Sequence, residues 1–138
     1  MQLGHNTKID LIKGVPLFSA ASKQELAEIA SIADEIDLPD GKVLIREGDS
    51  GREFFVLIEG TADVERGGKK VATLGPGDFF GEISLIAKTP RNATITTTSA
   101  VRALVITDRA FRRLLDHSPQ IAVGVLTALA ERLAPTTL

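Results

Sequence analysis

Cysteine, tryptophan and tyrosine are absent from this chain of 138 residues, and its aromatic content is 4%, all of it phenylalanine. Without cysteine there can be no disulfide framework, thiolate metal site or thiol nucleophile. The absence permits a reduced compartment, and a cytoplasmic location is expected. Without tryptophan or tyrosine, intrinsic fluorescence is a poor probe of the chain. Long apolar runs are also missing. The longest, Ile121 to Ala130, is interrupted by Thr127 and covers about half of a membrane span. Met1 to Asp10 contains no apolar core of a signal peptide, so none is expected. Nor is there a surplus of one charge: 16 basic against 18 acidic residues leave a net charge of −2. That argues against a surface built to hold DNA or RNA, which needs a concentrated basic field. The two histidines, His5 and His117, lie far apart in sequence with no further ligand pattern, so no metal site is expected.

What is present is the composition of a globular domain, 43% hydrophobic and 25% charged. The length suits one hydrophobic core, and residues 1–138 read as a single domain in three zones. The first, 7–34, is helical. Ser22 and Glu25 have the spacing of a capping box, and Leu26, Ile29, Ala30 and Ala33 then recur on one helical face. Ahead of them, Val15-Pro16-Leu17-Phe18 reads as a turn carrying apolar anchors. The second zone, 35–107, holds short runs rich in β-branched and aromatic residues: 42–45, 53–58, 61–65, 71–74, 93–98 and 101–106. Turn sequences built on Gly41, Gly48, Gly51, Gly60, Gly67-Gly68 and Gly75-Pro76-Gly77 separate them. Phe54 to Ile58 is apolar on both faces, which suits a central strand. The third zone, 108–133, is helical again. It has a short helix to Asp116 with Phe111, Leu114 and Leu115 buried, then a restart at Ser118-Pro119. A row at Ile121, Val125, Leu129 and Leu133 follows. The fold expected is α+β: an antiparallel, jelly-roll-like β-barrel of about eight strands, with helices at both ends.

One stretch of the second zone does not read as strand. After Gly75-Pro76-Gly77-Asp78-Phe79-Phe80-Gly81 comes Glu82-Ile83-Ser84-Leu85-Ile86-Ala87, enough for about one and a half helical turns. A short helix entered through glycine leaves its first N–H groups unpaired, which favours an anion. Nine residues after Glu82 stands Arg91, behind Pro90, with a planar fork of donors that matches two phosphate oxygens. Enzyme motifs are missing. Ser84 is not in a Gly-x-Ser-x-Gly elbow, no P-loop lysine follows a glycine run, and Gly75, Gly77 and Gly81 have the wrong spacing for a dinucleotide fingerprint. No enzyme activity and no cofactor are expected.

Phe80-Gly81-Glu82-Ile83-Ser84-Leu85 followed by Thr89-Pro90-Arg91-Asn92-Ala93-Thr94 resembles the phosphate-binding cassette of cyclic-nucleotide-binding domains, here residues 80–94. That family includes regulatory subunits of cAMP-dependent protein kinase, cyclic-nucleotide-gated channels and bacterial catabolite activator proteins. The resemblance runs from about Ile9 to Leu133. It also takes in Gly41, Gly48, the Phe55 to Gly60 strand end and the Leu74-Gly75-Pro76-Gly77 turn. It implies that Arg91 clasps the cyclic phosphate with the N–H groups of Ser84 and Asn92. Glu82 would bind the ribose 2′-hydroxyl beside the Gly81 carbonyl, with Ile83 and Ala93 in the same ligand-binding set. Val64 would line the wall beside the base, and Arg132 or Leu133 on the last helix would close over the ligand, Arg132 by stacking on the purine. A threonine or serine in place of Asn92 is often the guanine contact in cGMP binders, and alanine is common in cAMP binders. Asparagine is neither, and the missing hydroxyl favours cAMP over cGMP. The resemblance therefore implies a sensor module acting through lid closure. The alternatives are a barrel kept for protein interaction and the sensor half of a transcription regulator. About 20 residues follow Ser118, too few for a helix-turn-helix beyond the last helix, so this chain alone is not expected to contact nucleic acid. A homodimer or an unidentified effector protein is the expected partner.

Overall fold

Strands dominate the middle of the chain because its β-branched and aromatic runs alternate with glycine turns. In the computed structural model, which describes residues 4–133 apart from the side chains of His5, Arg132 and Leu133, these runs form one of two compact units, Asp34–Asp108. Its strands are β1 (Asp34–Leu38), β2 (Val43–Ile45), β3 (Glu53–Glu59), β4 (Ala62–Arg66), β5 (Lys69–Leu74), β6 (Phe79–Phe80), β7 (Thr94–Thr97) and β8 (Val101–Thr107). They pair antiparallel in two four-stranded sheets, ordered β1-β8-β3-β6 and β2-β7-β4-β5. The expected α+β fold of about eight strands is what forms.

Two strands lie outside the runs read from the sequence. β1 is Asp-Glu-Ile-Asp-Leu, and three acids in five residues hide its extended character; it is held as an edge by pairing with β8. β6 is only two residues long, paired with Phe55 and Val56 of β3. β3 itself lies between β8 and β6, and Phe54, Phe55, Val56 and Leu57 are all buried, as expected of a central strand. Inside the barrel, Phe55 and Leu57 join Ile45, Ala62, Phe80, Ile95, Val101 and Ala103 in one apolar cluster. The rings of Phe55 and Phe80 stack with centroids 5.0 Å apart. Thr97 and Ser84 are the buried polar residues among those described; the Thr97 hydroxyl donates to the Pro39 carbonyl at 2.7 Å and accepts from the Lys42 N–H at 2.8 Å. Both lone-pair and proton needs are met, so its burial is not costly.

The other unit is drawn from both ends of the chain, up to Ala33 and from Arg109 onward. It contains α1 (His5–Lys13), a 3-10 turn at Pro16–Phe18, α2 (Lys23–Ser31), α3 (Asp108–His117, its first residue in the barrel unit) and α4 (Pro119–Leu133). The capping box opens α2 as its spacing predicts: the Ser22 hydroxyl accepts from the Glu25 N–H, and the Glu25 carboxylate from the Ser22 N–H. Leu17 and Phe18 are buried, and Phe18 meets Phe111 with ring centroids 5.8 Å apart. On α3, Phe111 is fully buried while Leu114 and Leu115 are only half-buried. On α4 the buried row is Ile121, Val125 and Ala128, with Leu129 half-buried. A strict four-residue row drifts around a helix of 3.6 residues per turn, so the burial steps to 128. The expected Leu133 contact lies outside the described side chains.

Candidate functional site

The cassette begins where β6 ends. Gly81 has φ +84°, a left-handed conformation that turns the chain into a four-residue 3-10 helix, Glu82–Leu85. The element is shorter and tighter than the one and a half turns expected from its sequence. Ser84 explains part of this. Its N–H donates to the Gly81 carbonyl at 3.1 Å, and its hydroxyl reaches the same oxygen at 2.6 Å and the Glu53 carbonyl at 3.1 Å. A side chain bonded back to the entry residue favours a single tight turn. The N–H and hydroxyl of Ser84 are thus both engaged within the turn, and a phosphate contact through the N–H would require its bond to Gly81 to open.

Arg91 is brought to the same place by its backbone. Its N–H donates to the Asp49 carbonyl and its carbonyl accepts from the Gly48 N–H, both at 2.8 Å. Ser50 and Pro90 form an isolated antiparallel bridge alongside. From this fixed base the side chain lies inward, and Nη2 donates to the Glu53 carbonyl at 2.7 Å. Among the described residues this backbone oxygen is its hydrogen-bond acceptor, and no ion pair is formed. Loss of water around the guanidinium lowers its pKa from the ordinary arginine value, and the nearby Glu53 carboxylate opposes the shift. A cation held by a neutral acceptor, partly out of water, is the electrostatic state an anion relieves most.

The cassette borders an open cavity of about 220 Å³. It is lined by residues 81–84 and 89–93, with Ile45, Phe80 and Ile95 adding apolar surface. Of the expected site residues, Gly81, Glu82, Ile83, Ser84, Arg91, Asn92 and Ala93 all line it. Ala93 is buried and Ile83 is 43% exposed. Glu82 is half-buried; its Oε2 is buried without a hydrogen-bond donor, while the residue is engaged through other interactions. The Asn92 carbonyl accepts from Arg66 Nε at 3.0 Å, so the end of β4 pins this loop. Val64 is not among the lining residues; half-buried on β4, it packs against the barrel core. The proposed lid side chain, Arg132, lies outside the described residues.

Sequence reasoning missed the Glu53 carbonyl and the loop at 48–51. A carbonyl is common to every residue, so no side-chain pattern marks it. The glycines at 48 and 51 were visible, but only as turn formers. Among the described residues no group of three metal-ligating side chains is assembled, and no helix is long and apolar enough to cross a membrane.

A glycine-entered turn and an arginine bonded to a backbone carbonyl lie side by side at a small cavity in an antiparallel barrel. Residues 35–118 match the model of the cyclic nucleotide-binding domain family, and the chain belongs to that family. It is 35% identical over 109 residues to a cAMP-dependent protein kinase regulatory subunit of Schizosaccharomyces pombe, covering 78% of this chain and 26% of that protein. A cyclic nucleotide-gated potassium channel of Mesorhizobium japonicum is 36% identical over 123 residues, covering 88% of this chain and 34% of the channel. The chain thus spans about a quarter to a third of the curated relatives it matches. Among solved structures, the N-terminal domain of a transcriptional regulator from Streptomyces coelicolor A3(2) superposes with a TM-score of 0.85 at 32% identity, covering 93% of this chain and 95% of that one.

Proposed function

We propose that this domain binds a 3′,5′-cyclic nucleotide, cAMP in preference to cGMP, as a non-catalytic sensor. The observation that carries the reading is Arg91, cationic and partly desolvated, lining the same cavity as Glu82 with a backbone carbonyl as its acceptor. An entering phosphate offers two anionic oxygens to its fork, and Glu82 is an acceptor for a ribose hydroxyl. The preference for cAMP rests on Asn92, which has no hydroxyl for guanine, and is supported by the kinase regulatory subunit among the relatives.

The output proposed is a lid movement of α4, with Arg132 stacking on the purine. Asp108, the first residue of α3, donates its N–H to the Arg52 carbonyl at 2.8 Å, one residue from the Glu53 that holds Arg91. A ligand that redraws the bonds at Glu53 therefore acts beside the start of the helical segment. It shifts the population only as far as it favours the closed state. The likeness to the N-terminal domain of a transcriptional regulator favours one second reading, the sensor half of such a regulator.

Calorimetric titration with cAMP, cGMP and linear 5′-AMP tests the assignment. The expected order of affinity is cAMP, then cGMP, then 5′-AMP. Heat from none of the three would leave the barrel as a protein-interaction module.

A further inference from the structure

Arg91 does not only face the cavity; it lies across Gly51. A Cβ built on Gly51 would stand 1.8 Å from Arg91 Nε, 2.1 Å from Cζ and 2.6 Å from Cδ, its three nearest neighbours. These separations are far inside van der Waals contact at about 3.5–4.0 Å. The backbone does not call for glycine here, since Gly51 is not among the glycines with positive φ. Gly48 is the opposite case: its φ is +89° and nothing lies within 4 Å of an added Cβ. Glycine at 48 serves the turn, whereas at 51 it makes room for the arginine.

We infer that Gly51 is a positioning residue, whose missing side chain forms the seat that lets Arg91 reach the Glu53 carbonyl with its fork in the cavity. Retreat of the Arg91 backbone cannot relieve an added side chain, because its N–H and carbonyl are both bonded to residues 48 and 49. The guanidinium itself must move. On its other side Gly81 narrows the slot, where an added Cβ would stand 2.7 Å from Arg91 Nη1. The consequence for affinity rests on Arg91 being the phosphate ligand; the seat itself does not.

The test uses Gly51→Val, with Gly51→Ala as a milder variant should valine impair folding. In ¹⁵N spectra of the arginine Nε–H groups, the Arg91 signal is identified by its loss in Arg91→Lys. It is expected to move in the Gly51 variants, with faster hydrogen exchange, while backbone amides outside the cassette and the 46–53 loop keep their positions. In titrations with cAMP, Gly51→Val should bind roughly tenfold or more weakly, as displacement of a positioned group predicts. An unmoved Arg91 signal in both variants would overturn the seat. An affinity for Gly51→Val within about twofold of wild type, when Arg91→Ala has lost binding, would overturn its role in recognition. Wild-type protein that takes up no cAMP overturns the phosphate reading instead, and the Nε signal still decides the seat.

Discussion

Two arginines of the barrel unit show how one side chain serves different ends. Arg102 on β8 faces its register partner Asp37 on β1, and Nε donates to the carboxylate at 3.0 Å. That hydrogen bond, and then the charge of Asp37, raise its pKa above the ordinary value. Arg91 donates instead to a backbone carbonyl, and desolvation moves its pKa the other way. The first guanidinium already has a neutralising partner and stabilises a strand pair. The second lines a cavity without an ion pair among the described residues, the Glu53 carboxylate acting on it only from nearby, with geometry set by the backbone of residues 48–53. An anion gains little from the first and much from the second.

Removing Arg91 should break this contrast most severely. Arg91→Ala is expected to weaken cyclic-nucleotide binding by about 2–5 kcal/mol, the range for losing a buried charged partner. Arg91→Lys should recover only part, because the two-donor fork is gone. Titration calorimetry reads both. Next comes Gly81→Ala, which forces a Cβ into a left-handed backbone, 2.7 Å from Arg91 Nη1 and 2.8 Å from the Glu53 carbonyl. A loss of about 1–3 kcal/mol in stability is expected from urea unfolding, together with weaker binding. Ser84→Ala removes the hydroxyl bonds to Gly81 and Glu53 and should cost about 1 kcal/mol in the same assay. Arg102→Ala should have the smallest effect: binding unchanged, and a slight, salt-sensitive loss of thermal stability. Weakened binding in Arg102→Ala comparable to that in Arg91→Ala would erase the distinction between the two.

The same contrast explains how much could be read beforehand. Arg91 was legible because it stands at a fixed distance from Gly81 and Glu82, in a segment that breaks the strand pattern. Much of the barrel was legible for a related reason, since two-faced apolar runs such as Phe54 to Leu57 and the turns between them are local signals. Glu53 was not, because its part in the site is played by a carbonyl. Gly51 looked like any turn glycine, and only the path of a side chain 40 positions later separates it from Gly48. The bonds that the Ser84 N–H and hydroxyl make to the Gly81 carbonyl were not legible either, because they depend on the left-handed turn at Gly81. β1 was obscured by three acids in five residues of an edge strand, where pairing with β8 outweighs low propensity. The sequence thus exposed the groups that carry charge, and concealed the backbone frame that aims them.

The most direct test of the central claim follows the two guanidinium groups during one titration. With the Arg91 and Arg102 Nε–H signals identified by substitution, cAMP is added to saturation. The Arg91 signal should shift progressively to a new bound position as its phosphate contact forms, while that of Arg102 stays in place. Saturable binding that leaves the Arg91 signal unmoved would contradict the account.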